Sequence, residues 1–471
     1  DAESAKPLRL FDVAAPGPLA FGRDGTLYAL LGGKAHRIDP GTGRTTPVPT
    51  PGLGTAAALA ADADGNLLVA DTGPDCQVKA FAPDGRIAYT CGVKGGRPIR
   101  GAFNEQAMIR MSSVAADSQG RVWVVENWNT PRRVSVWGRD GKLARDYLGN
   151  TGYAGTGCYL HDQNPNLAYC GPLEFALDRE HGTWKLTRIL WVPDPEQGES
   201  FTISTGTHVL PQRFTSAASG TAREYLFLHD SGAEGTGNVV FLERDGAWQP
   251  AAAICMAGHV SGNLAHGGAV VEPPGGELAG LNAYDGIIWN DDNRDGKVQR
   301  AECTVVPATQ PGDEKRGGRC GLPLGNGWGG RIGNDLSIYA DGLTRYRPLR
   351  FTTDGAPVYG LEGKTDIGVK DSGDLVPVPG EDRLICLSWV GYADPTKLTA
   401  VNLKDGAVEW YYPNPYPGVH GSHRATMPKP GLLIGPLKTC GVARVNDDVG
   451  SVFLMRGNLG QDFLMTTDGL F

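Results

Sequence analysis

What this 471-residue sequence lacks narrows its chemistry first. No apolar run approaches the roughly 18 residues of a membrane-spanning helix. No G-X-Y period accompanies the 68 glycines, which excludes collagen, and a hydrophobic content of 40 % argues against wholesale disorder. None of the nine cysteines falls in C-x-x-C or C-x-x-C-H, so zinc ribbons, thioredoxin chemistry and c-type haem attachment lose their signal. G-x-S-x-G and H-E-x-x-H are also missing. The glycine-rich run 325–330 has neither a following Lys-Ser/Thr nor a helix, which rejects a phosphate loop. Basic residues are outnumbered, 44 against 52 acidic. The resulting net charge of −8 and pI near 5.6 argue against a nucleic-acid partner.

The cysteines that are present pair by proximity: Cys76 with Cys91, Cys158 with Cys170, and Cys303 with Cys320. Each pair would close a short loop, so disulfides and an oxidising compartment are expected. Buried free thiols in a cytosolic protein are the alternative. The odd count leaves at least one thiol unpaired. The opening Asp1-Ala-Glu-Ser-Ala-Lys-Pro7 has the look of a mature N-terminus after cleavage, hence an expectation of a secreted or periplasmic protein.

The strongest chemical signal is a twelve-residue stretch, 291–302. Asp291, Asn293 and Asp295 take the first, third and fifth positions of a calcium loop, and Gly296 the sixth, where the turn requires positive φ. Lys297 would offer its carbonyl, Gln299 would hold a water, and Glu302 would supply the bidentate carboxylate. Every position of D-x-[DN]-x-[DN]-G-x5-E is met, with apolar Val298 as the inward anchor. An Asp/Asn/Gly-rich hairpin turn is the plainer account of the same residues. The stretch resembles EF-hand and dockerin calcium loops, but Ile287-Ile-Trp289 before it and Thr304-Val-Val306 after it are strand-like, and a second loop is missing. The expectation is a structural Ca2+ loop joining two strands.

Around this loop the chain repeats. Residues 17–31 carry Gly25, residues 58–71 repeat the pattern around Gly65, and residues 114–126 repeat it around Gly120. Each unit alternates apolar and polar residues over short runs and breaks at Asp-Gly or a similar turn, the signature of hairpins. Spacings of about 40 to 55 residues with several short strands point to a propeller blade. Ala58-Leu-Ala-Ala-Asp-Ala-Asp-Gly65-Asn-Leu-Leu-Val-Ala-Asp71 and Val114-Ala-Ala-Asp-Ser-Gln-Gly120-Arg-Val-Trp-Val-Val-Glu126 resemble NHL-repeat β-propellers. The resemblance is good over 17–150 and partial around 350–359 and 398–410. It implies an all-β chain, 1–471 as one closed propeller of seven or eight four-stranded blades, with long inter-blade insertions. Leu8-Arg-Leu-Phe-Asp12 is the candidate closing strand.

Long insertions are the candidate site builders. The richest, 409–424, holds Trp410, Tyr412, Tyr416, His420, His423 and Arg424. Aromatic faces would stack on sugar rings, Arg424 would pair a carboxylate, and His420 or His423 with Tyr412 would serve as base and acid. Packing over sheet ends accounts for the same aromatics more simply. Trp128 with Arg132, and Trp328 with Arg331, form two further aromatic/cation pairs for a ligand. Two function classes follow. One is a calcium-stabilised binding or assembly module, whose partner is a polysaccharide or an extracellular protein. The other is a polysaccharide lyase acting on uronic-acid polymers. Peptide-amidating lyase, streptogramin lyase and regucalcin-like lactonases, implied by the resemblance, and a quinone-dependent dehydrogenase are class-level analogies only.

Overall fold

The computed structural model describes residues 9–128, 130–149, 158–161, 163–192, 194, 201, 212–232, 235–260, 273–308, 320–324, 331–340, 344–367, 372–388, 395–417, 433, 436–457 and 460–470. Among them helices are limited to short 3-10 turns, and eight antiparallel sheets plus one two-stranded ribbon make up the rest of the regular structure. The chain divides into two compact units, 1–151 and 152–471.

In the first unit each sequence repeat is one four-stranded up-and-down sheet. The second of them runs Ala56–Ala61, Leu67–Asp71, Gln77–Phe81 and Ile87–Cys91. The repeated glycines adopt the φ the turn requires: +82° at Gly25, +81° at Gly65 and +76° at Gly120. The aspartate three residues upstream closes the second of these turns, Asp62 Oδ1 accepting from the Asn66 N–H at 2.9 Å. The acidic residue ending each second strand does a different job. Asp71, fully buried, accepts from the N–H groups of Gly54, Thr55 and Gly73 at 2.9–3.0 Å and from Lys79 Nζ at 2.7 Å. Glu126 takes the same place in the third sheet, held by Arg97 and Arg133 at 2.7 and 2.9 Å. Apolar faces of neighbouring sheets pack together, Leu30 and Tyr28 on Leu59 and Val69, then Leu68 and Val78 on Val114 and Val124.

In the second unit five sheets follow in chain order, and successive sheets pack face to face. Tyr169, Leu190 and Trp191 meet Leu226 and Phe241 of the next sheet. The other face of that sheet, with Phe227 and Ile288, meets Ile338 and Tyr346. Tyr339 and Ile367 then meet Leu384 and Val401, and Leu398 meets Phe453 and Met465. The sheet carrying the candidate calcium loop has six strands rather than four, ending in Gly286–Asn290 and Cys303–Val306.

Two expectations need correction. Residues 9–12 form no strand: Arg9 donates to Gly41 O at 2.6 Å and Phe11 lies over Gly43, so the segment ties down the first sheet's last turn. The Cys76–Cys91 and Cys303–Cys320 bridges are not formed. Cys76 Sγ donates to Met108 O at 3.3 Å and Cys303 Sγ to Gln299 O at 3.2 Å, so each thiol is turned to a backbone carbonyl instead of its expected partner. Cys158 and Cys170 stand opposite each other in the antiparallel ladder of their sheet.

Candidate functional sites

The loop 291–302 joins two neighbouring antiparallel strands, whose register runs from Gly286 opposite Val306 to Trp289 opposite Cys303. Its polar side chains tie back onto its own amides. Asp291 Oδ1 accepts from Gly296 N–H at 3.1 Å, Asn293 Oδ1 from Asp295 N–H at 2.9 Å, and Asp295 Oδ1 from Lys297 N–H at 2.8 Å. Glu302 Oε1 reaches back to the Asn293 N–H at 3.1 Å, while its Oε2 accepts from Trp289 Nε1 at 3.0 Å. Gly296 has φ +69° and Val298 is buried.

The donor set fits a hard cation in kind, being all oxygen. Gln299 Oε1, at the ninth position, is buried without a hydrogen-bond partner, while its Nε2 donates to Asp295 Oδ2 at 2.7 Å. The carboxylates themselves are otherwise engaged. Asp291 Oδ2 pairs with Arg244, which also holds Asp354 at 3.0 Å. Among the described residues no three acidic, histidine or cysteine side chains stand close enough to share an ion. Arg244 thus occupies one of the two Asp291 oxygens that a cation would use.

The second feature is a cavity of about 440 Å³ in the second unit. Its walls come from the first strands of the sheets: Leu160 of Cys158–Leu160, then Gln212–Ser216, Arg331–Ile332, Ser372–Pro377 and Pro436–Asn446. Three arginines line it. Arg213 is spent on Glu174 and on Glu224, the latter at 2.6 Å, and Arg331 Nη2 donates to Thr439 O at 3.3 Å. Arg345 lies beside Tyr339, whose hydroxyl burial pushes up to about 12, with the nearby Asp335 charge adding to the rise. That hydroxyl keeps its proton near neutral pH, and the Arg345 and Ser337 side chains bond to its oxygen.

The remaining candidates fall in several places. His420, His423, Arg424 and Trp328 lie outside the described residues, as does the side chain of Tyr416. Trp410 donates from Nε1 to Thr467 O at 3.0 Å and stacks on Phe453, and Tyr412 packs against the same apolar cluster. Both thereby help to join two sheets. Trp128 carries the Arg110 guanidinium 4.3 Å from its ring, and Arg132 is exposed on the adjoining strand. Among the described candidates, Arg331 lines the cavity. Sequence reasoning missed Arg213, Tyr339, Arg345 and Arg244. Their only sequence signal is an arginine or tyrosine inside an apolar strand pattern.

No family model and no curated protein matches the chain. Three solved structures show the likenesses found. PorZ, described as an essential bacterial surface component of the type-IX secretion system of Porphyromonas gingivalis, shares 11 % identity over 93 % of this chain and 67 % of its own, at a TM-score of 0.28. A Xanthomonas campestris gluconolactonase shares 13 % over 59 % and 84 %, at 0.24. Staphylococcus aureus virginiamycin B lyase shares 11 % over 95 % and 94 %, at 0.22. At such scores the fold rests on the sheets themselves, and no activity transfers.

Proposed function

We propose that this protein is a secreted or periplasmic binding module: a calcium-stabilised β-propeller whose seven or eight blades close on themselves. One observation carries the calcium half of this reading. The side chains at positions one, three, five and twelve of the loop each bond a loop amide, and an orphaned buried oxygen stands at the ninth. Asp291, Asn293, Asp295 and Glu302 would hold the ion with the Lys297 carbonyl, and Gln299 would bind through water. The bound ion ties two strand ends of the six-stranded sheet. Because calcium binds only the folded loop, it stabilises by mass action, about 2.7 kcal/mol at a hundredfold excess over Kd.

Melting in calcium and in chelator tests this directly. The wild type should lose melting temperature in chelator, and Asp295→Ala combined with Glu302→Ala should melt alike in both. A double variant that keeps the full chelator response would end the calcium assignment. For the binding half, the support is the cavity where the sheets' first strands meet, with a volume in the range of small-molecule sites.

A further inference from the structure

Of the three cysteine pairs that lie close in the chain, one is also matched across a strand ladder. Cys91 stands opposite Val78, and Cys303 opposite Trp289. Cys158 stands opposite Cys170, with Tyr159 opposite Tyr169 and Leu160 opposite Ala168, in a register free of bulges. Among the described residues no other cysteine has a cysteine as its cross-strand neighbour. The turn end of this hairpin fixes the kind of pair. His161 N–H donates to Leu167 O at 3.0 Å, which makes 161 and 167 a hydrogen-bonded pair. Bonded and non-bonded pairs alternate along an antiparallel ladder, so Tyr159 with Tyr169 is a bonded pair and Cys158 with Cys170 a non-bonded one. Non-bonded pairs bring their Cα atoms to about 4.5 Å, and their Cβ atoms closer than bonded pairs do. A disulfide spans Cα separations of roughly 4.4–6.8 Å and needs close Cβ atoms. The backbone therefore stands where a bridge fits, with no change of register.

From this we propose that Cys158 and Cys170 form a cross-strand disulfide that clips an edge hairpin of the second unit. Strand Cys158–Leu160 is paired on one side only, and three residue pairs hold it. So short an edge ladder is a place where local opening starts. A covalent link across its open end limits what the opened chain can do and thereby favours the closed ladder. Leu160 lines the cavity, so the clip also fixes one strand of that wall. Cys170 is only partly buried, within reach of a small oxidant. The bond forms by two thiol–disulfide exchanges with a low-molecular-weight disulfide such as oxidised glutathione. The thiolate of one cysteine bonds to one sulfur of the oxidant and releases a thiol. The second cysteine's thiolate then displaces the other half. One S–S bond is made and one consumed, and the two protons lost by the cysteines leave on the two released thiols. Oxidising compartments supply such partners, in keeping with a secreted or periplasmic protein. The inference is independent of the calcium loop.

Differential alkylation of the full chain tests this. The folded protein is equilibrated in glutathione buffers running from reducing to oxidising. Free thiols are then blocked in denaturant, and bonded ones are labelled with a heavier reagent after reduction. Trypsin releases both cysteines in one peptide, 146–179, which holds no other cysteine. In oxidised glutathione both should take the second label together, and the unreduced peptide should be lighter by two hydrogens. Oxidation should raise the melting temperature of the wild type by several degrees and leave that of Cys170→Ser where it was. Cysteines that stay open to the first reagent, that end as mixed disulfides with glutathione, or that bond to other cysteines overturn the proposal. A bond that forms without raising the melting temperature overturns the clip. The peptide mapping needs only the wild type, so it decides even where Cys170→Ser fails to fold.

Discussion

Asp291 has two oxygens and, in this structure, two claims on them. Gly296 N–H holds one and Arg244 the other, with Asp291 buried and Arg244 nearly so. Breaking a buried pair from one side leaves a charge stranded, at a cost of about 3–5 kcal/mol. Calcium would replace that charge at Asp291, and Arg244 would keep Asp354 as its partner. Arg244→Gln is thus expected to lower the melting temperature in chelator and to enlarge the gain on adding calcium, with calcium affinity rising several-fold. A titration showing weaker calcium binding in Arg244→Gln would mean that the arginine orients the loop instead of competing for it. The loop's own residues were legible in the sequence because their spacing is set by the chain. Arg244 was not, because it lies 47 residues upstream and only strand pairing brings it there.

At the scale of one strand end, Asp71 joins a loop, a strand and a lysine. Burial by itself would raise its pKa, but the bond from Lys79 and the N–H groups of Gly54 and Gly73 outweigh it and hold the carboxyl below the usual value of 3.8. A carboxyl whose pKa is depressed on folding stabilises above its unfolded pKa and loses that contribution as pH falls through the folded value. Asp71→Asn is expected to cost about 3 kcal/mol at pH 7, since it strands Lys79. The gap between variant and wild type should narrow below about pH 4, read from urea midpoints at pH 7 and pH 3. A gap unchanged between those values would show that Asp71 acts through its shape rather than its charge. The sequence marked Asp71 and Glu126 as repeat positions. It did not mark their partners, which differ: Lys79 with three amides in one sheet, Arg97 with Arg133 in the next.

For the whole molecule, the proposed closed ring has a measurable consequence. A single compact body of 471 residues has a radius of gyration of about 23 Å. Small-angle scattering in calcium is expected to give that value, and a radius well above it would favour two separately tumbling units over one ring. The blade count belongs to this scale too. The repeats at Gly25, Gly65 and Gly120 announced three sheets, while the later five were legible only as strand sets separated by insertions, without the full repeat pattern.

Local chemistry, then, was the sequence's own decision. Asp-Gly turns, period-two strands and the twelve-residue acidic loop depend on neighbours in the chain, so residue type and spacing suffice to specify them. Tertiary structure alone decided what lies across a gap. It turned Cys76 and Cys303 to backbone carbonyls, put Trp410 and Tyr412 between packed sheets, and set Arg213 and Arg345 on one cavity from strands more than a hundred residues apart. Those outcomes follow from how sheet faces stack, and stacking is a property of surfaces that no single stretch of the chain contains.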